Sequence, residues 1–146
     1  AAVNHTQVPG KCFTGFIQGF GIRRGALAAS GAWDSSNIIS VGANEADMAA
    51  SVNRVGELGG GIVAVRHNQV VAEMPLPIFG VISELPMQEI MENNREIYSA
   101  ARELGIELSN PVLSIMTLTG AAIPFLRICE QGLVDLKSGE KQSLFV

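Results

Sequence analysis

The sequence is poor in the residue types that mark several common classes of protein. Its 146 residues include one tryptophan, one tyrosine, two histidines and two cysteines, and only 16% of them are charged, whereas soluble domains usually carry about 25%. The formal net charge is −4, and no stretch is rich in lysine or arginine, so no nucleic acid is expected as a partner. Because no apolar run approaches the roughly 20 residues of a membrane span, no membrane is expected either.

The number and placement of the cysteines and histidines argue against a disulfide framework, a nucleophilic thiol and a metal site. Cys12 and Cys129 are too few and too far apart for a disulfide framework, which predicts a reducing, cytoplasmic location. Both lie in apolar, strand-like contexts, and such contexts predict buried, inert thiols rather than nucleophiles. His5 and His67 are isolated, and the chain has no His-x-His or Cys-x-x-Cys pattern, so it predicts no metal site and no catalytic residue.

What the chain has in excess is apolar surface. Apolar residues make up 47% of it and the mean hydropathy is +0.28, while a domain of this size leaves roughly 30% of its unfolded surface exposed. With few charges to cover that exterior, part of it is expected to be apolar and to contact another domain or a second copy in a homo-oligomer. The first residue is Ala1 rather than Met, which suggests a piece of a longer protein.

Periodicity predicts an α+β domain. Two main helices are expected after the start signals at Asn44 and Pro86, ending near Gly59 and Gly105. The β-rich runs are 12–18, 25–30, 38–41, 62–65, 70–74, 112–118, 125–129 and 133–136, and the fourth and fifth form a hairpin with His67 at its solvated tip. With no linker or repeat, we expect a single domain spanning 1–146: a mixed, largely antiparallel sheet with two main helices packed on it.

One polar run stands out, immediately before the predicted strand at 38–41. It consists of Trp33, Asp34, Ser35, Ser36 and Asn37. Such side chains can satisfy their own backbone in a capped turn. They can also form a loop that faces a substrate or a neighbouring domain. Both interpretations remain open at this point.

A series of short motifs follows in a recognisable order at 19–26, 33–39, 52–54, 57–61, 73–77, 83–86, 132–135 and 144–146. In this order, from about Gly10 to its end, the chain resembles the C-terminal domain of microbial adenine deaminases. In that family the polar run typically reads His-Asp-Ser-His-Asn, so Trp33 and Ser36 are departures from the pattern, whereas Asp34, Ser35 and Asn37 match it.

The resemblance implies a place in a larger enzyme. Adenine deaminases belong to the amidohydrolase superfamily and hydrolyse adenine to hypoxanthine and ammonia in purine salvage, using a divalent metal, manganese or iron. The metal ligands lie in an N-terminal barrel domain, a fold of about 200 residues or more, which is expected to be absent from this chain. The chain alone is then expected to support or complete the barrel without being catalytic. The alternative is a stand-alone, non-catalytic binding or assembly module of the same fold.

Overall fold

A six-stranded antiparallel sheet forms the centre of the part of the chain that is described. The computed structural model describes residues 1–31, 35, 37–122 and 125–144. In chain order the strands are β1 (Ala2–Asn4), β2 (Cys12–Phe13), β3 (Ala26–Ala29), β4 (Asn37–Gly42), β5 (Gly61–Arg66) and β6 (Gln69–Pro75). Across the sheet their order is β2-β1-β4-β3-β5-β6.

Both predicted helices are present and both have the expected end signals. Helix α1 (Glu45–Glu57) begins where the Asn44 side-chain oxygen accepts a hydrogen bond from the Asp47 amide at 2.8 Å, which satisfies a free donor of the first turn. Helix α2 (Met87–Glu103) follows Pro86, and Gly105 lies just beyond its C-cap Leu104, with a φ of +100° that suits glycine. The β5–β6 hairpin is also confirmed, with His67 exposed at its tip.

The two helices lie on opposite faces of the sheet. Successive strand residues point to opposite faces, and accordingly Ala28 and Val63 pack in the same cluster as Val55 of α1. Leu27 packs in the other cluster with Ile97 of α2. This confirms the α+β class, although every strand pairing among the described residues is antiparallel rather than mixed.

Of the predicted β-rich runs, one is helical and another is a strand only at its start. The run 112–118 lies in a short helix, α3 (Pro111–Met116), and a following 3₁₀ turn, so this prediction was wrong. The Asn110 side-chain oxygen accepts a hydrogen bond from the Leu113 amide at 2.9 Å, and proline occupies the first helical position, where its fixed φ and missing N–H fit. The run 12–18 is a strand only over β2, and the chain is irregular from Thr14 onward.

A second, three-stranded sheet covers part of the α2 side of the molecule. It contains β7 (Leu126–Cys129), β8 (Gly132–Asp135) and β9 (Lys141–Gln142) in that order. Ile128 packs against the main core. Strands β7 and β8 were predicted, whereas β1 and β9 were not.

Polar contacts hold α1 against the sheet. The carboxylate of Asp47, which is 3% exposed, accepts a hydrogen bond from the Asn68 amide at the hairpin tip at 2.7 Å. Arg54 donates two hydrogen bonds to Glu73 of β6, at 2.8 and 2.9 Å. This fork-like geometry is typical of strong arginine–carboxylate pairs. It joins the short motif at 52–54 to the one at 73–77.

The exterior is apolar in places, as the composition predicts. Phe16, Phe79 and Phe125 are 89%, 94% and 92% exposed. Large exposed apolar side chains on a soluble domain commonly mark contact surfaces. Among the described residues, no helix combines the length and hydropathy needed to cross a bilayer.

Candidate functional site

Polar side chains from distant parts of the chain meet at one end of the main sheet. Asn37, the first residue of β4, pairs with Asn4, the last residue of β1. Both side chains are buried, at 2% and 3% exposure. The Asn4 side-chain oxygen accepts hydrogen bonds from the amides of Thr6 and Val8, which shapes the loop after β1.

The Asn37 side chain lies beside Glu130, in the turn between β7 and β8, and lowers the pKa of its carboxyl. A carboxylate can only accept, so the carboxamide would face it through Nδ2. Its oxygen, Oδ1, is buried and faces no donor among the described residues. Leaving such an acceptor without a partner costs about 1–3 kcal/mol. The geometry therefore favours a hydrogen-bond donor supplied from outside the described residues.

The Glu130 side chain is held in its ionised form. Burial raises its pKa, but the hydrogen bonds from Asn37, from its own backbone and from Gln131, with the charge of Lys11, lower the pKa on balance. The carboxylate is therefore a hydrogen-bond acceptor at neutral pH. It lies beside the unsatisfied carboxamide of Asn37.

The structure places two residues of the predicted polar run. Ser35 is half-buried, and its hydroxyl is a second buried polar group without a partner among the described residues. Trp33, Asp34 and Ser36 lie outside the described residues. We call the set Ser35, Asn37 and Glu130 the polar end of the sheet.

The polar end offers hydrogen-bond acceptors to a donor from outside the described residues. A carboxylate, a free carboxamide oxygen and a hydroxyl suit a ligand or neighbouring chain that presents N–H groups. In the described ranges, no three His, Cys, Asp or Glu side chains lie close enough to hold a metal ion. The prediction of a buried thiol is confirmed for Cys129, whose Sγ donates to the Gly132 carbonyl at 3.5 Å, but is wrong for Cys12, which is exposed on the outer strand β2.

Sequence reasoning missed Glu130 and Lys11. Glu130 was identified only as part of a turn, and its carboxylate meets Asn37 because the second sheet folds back onto β1 and β2. Lys11 belongs to the loop between those strands. No local pattern could have joined segments so far apart in the sequence.

The fold and the polar end define an α+β domain with a hydrogen-bonding edge. Residues 1–140 match the family described as the adenine deaminase C-terminal domain, and the chain belongs to that family. It is 42% identical over 137 residues to an adenine deaminase of Clostridium botulinum strain Langeland, a match that covers 94% of this chain and 23% of the relative. It is 44% identical over 131 residues to an adenine deaminase of Brucella abortus strain 2308, covering 90% of this chain and 22% of the relative.

The chain thus spans about a quarter of the length of the curated relatives it matches. The resemblance inferred from the short motifs is confirmed.

Proposed function

We propose that this chain works as the C-terminal domain of a full-length adenine deaminase that converts adenine to hypoxanthine and ammonia in cytoplasmic purine salvage. The observation that carries the proposal is the family match over residues 1–140, together with relatives about four times as long. The unpaired thiols of Cys12 and Cys129 are compatible with a reducing compartment.

The domain's own part in that enzyme is to complete or support the remainder. As a member of the amidohydrolase superfamily, the full-length enzyme would use a divalent metal, manganese or iron. The described residues do not fit such an ion, since they gather no set of three ligating side chains. Metal ligands would lie elsewhere in the full-length enzyme, and the exposed apolar side chains would contact the preceding domain or a second subunit of an oligomer.

We propose further that the polar end faces substrate or the preceding domain. Its support is the pair of buried polar atoms, Ser35 Oγ and Asn37 Oδ1, that have no partner among the described residues. A neighbour with N–H donors, such as a purine or a loop of another domain, would satisfy them. Polar groups in this state are costly unless a partner arrives.

The full-length enzyme carrying Ser35→Ala tests this role. Because the Ser35 hydroxyl has no partner among the described residues, its removal should leave the melting temperature within about a degree of wild type. If the hydroxyl meets substrate, kcat/KM for adenine should fall about tenfold, the equivalent of one lost hydrogen bond. If it meets the preceding domain, kcat/KM should persist while that domain becomes more sensitive to proteolysis.

Ser99→Ala, on the exposed surface of α2, is the matched control and should change neither quantity. If Ser35→Ala also changes neither, the polar end is an internal turn and its proposed role is wrong. A wild-type full-length protein that forms no hypoxanthine would refute the proposed enzyme function itself, and would favour a stand-alone assembly module.

A further inference from the structure

A slot in the main sheet lies directly in line with the start of β1. It is a cavity of about 620 Å³ lined by Ala1, by the irregular segment that follows β2, by the end of β4 with the start of α1, and by apolar side chains in and around the second sheet. In the sheet, β1 lies between β2 and β4. The slot is therefore the space that β1 would occupy if it were several residues longer at its start.

On the β4 side, the ladder ends with backbone groups aimed into the slot. Ala1 and Ser40 exchange two backbone hydrogen bonds, at 2.7 and 2.9 Å. In an antiparallel pair such bonding positions recur every second residue, so the next pair would join Gly42 to the second residue before Ala1. On its other side, β4 uses the alternate positions, as the hydrogen bond from the Ala43 amide to Gly25 shows.

The wall of the slot on the β2 side also offers backbone groups for hydrogen bonding. The Asn4 amide donates to the Lys11 carbonyl, and Ala2 pairs with Phe13. Two residues further on, Gly15 is the next position that would exchange hydrogen bonds with a longer β1. No backbone hydrogen bond of Gly15 is found among the described residues.

The half-buried amino group of Ala1 is compatible with a peptide bond at this point. Burial lowers the pKa of this group to about 6, because a charge there is poorly solvated. A peptide N–H would donate to the same Ser40 carbonyl without placing a charge in the sheet.

From this geometry we infer that the residues immediately preceding Ala1 in the full-length enzyme extend β1 through the slot and hydrogen-bond to Gly15 on one side and Gly42 on the other. The inference rests on the proposed function, since that function supplies a preceding domain. The relatives, which are about four times as long as this chain, provide the length of chain required. A central strand shared with the linker would fix the C-terminal domain to the rest of the enzyme through main-chain hydrogen bonds.

Amide hydrogen exchange on the full-length enzyme tests the inference. The Gly15 and Gly42 amides should exchange at least about tenfold more slowly than in an unstructured peptide, as expected for strand amides. The variant Gly15→Pro lacks the N–H and places a ring toward the slot, so it should speed exchange at Gly42 by about tenfold or more. Gly15→Ala is the matched control: it keeps the N–H, and its Cβ would lie 3.5 Å from the nearest side chains, so Gly42 should stay protected.

Unprotected Gly15 and Gly42 amides in the wild-type full-length enzyme would overturn the inference without any variant. Protection that rises with protein concentration would assign the slot to a second copy, and protection that requires added adenine would assign it to a small molecule; both results would also overturn it. Adenine turnover is measured on the same sample, so failure of the proposed function is recognised separately from failure of the strand extension.

Discussion

Blocking the amino group of Ala1 should change how the stability of the 146-residue chain depends on pH. The amino nitrogen donates to the Ser40 carbonyl at 2.7 Å, inside the sheet, and burial lowers its pKa from 8.0 to about 6. The unfolded chain binds this proton up to pH 8, while the folded chain binds it only below about pH 6. Between those values unfolding takes up a proton, so stability rises with pH.

The pKa change sets the size of the effect. A fall from 8.0 to about 6 corresponds to about 2.7 kcal/mol. The group is partly exposed, so solvent screening reduces this figure, and we expect about 1–2 kcal/mol. N-terminal acetylation removes the charge and keeps the N–H, so the acetylated chain should be the more stable form by that amount at pH 6, and the two forms should converge by pH 8.5.

Urea denaturation followed by circular dichroism, at half-unit steps from pH 5.5 to 8.5, measures the difference. Comparison of the two forms cancels every pH effect that both forms share. Parallel stability curves for the free and acetylated chains would refute the reasoning, because they would mean that the amino group is solvated and that β1 does not hold it in the sheet.

Three further substitutions test the packing of the two helices on the sheet. Asp47→Ala removes the acceptor for the Asn68 amide at 2.7 Å and should cost about 1–3 kcal/mol in urea denaturation. Hydrogen bonds hold the pKa of Asp47 below its ordinary 3.8, against the effect of burial. The contribution of Asp47 to stability is therefore present at neutral pH and is lost as the pH falls below about 4. Ile97→Ala, at a fully buried position of α2, should cost about 2–5 kcal/mol by the same assay, and a loss below 1 kcal/mol would show that α2 is not packed as described. Glu73→Gln should lower the melting temperature at low salt but little in 1 M NaCl, since salt screens the pair with Arg54; an equal loss at both salt concentrations would contradict a charge effect.

The long, strongly marked elements could be predicted from the sequence because their signals are local. Helix α1 has its cap at Asn44, and α2 ends at a glycine with positive φ. The β5–β6 hairpin joins two short apolar runs through a polar tip. Each of these patterns is complete within one segment, so no tertiary information is required.

The elements that were missed depend on partners far along the chain. Strand β1 has three residues and exists because β2 and β4 enclose it. The run 112–118 is β-rich in composition, yet a cap and a proline at its start commit it to a helix. Cys12 was predicted to be buried because its neighbours are apolar, but β2 is an edge strand and leaves the thiol exposed.

The candidate site was predictable only in part, for the same reason. The polar run marked Ser35 and Asn37, but polarity alone cannot distinguish a self-satisfied turn from a binding loop. The distinction comes from the buried Oδ1 of Asn37, which has no partner among the described residues, and only the folded chain shows this.

The slot and the polar end lie at opposite ends of β4, and this separation limits how a preceding domain can be attached. Gly42 is five positions along β4 from Asn37, which at about 3.3 Å per residue is about 17 Å. A domain of about 200 residues is about 40 Å across, so one domain could enter through the slot and still reach the polar end. Phe16, which lines the slot, and Phe125, which precedes β7 of the second sheet, are both exposed. A polar end that responds to the preceding domain and a slot filled by the residues before Ala1 are therefore compatible in a single arrangement, and we expect Phe16 to become less exposed in the full-length enzyme.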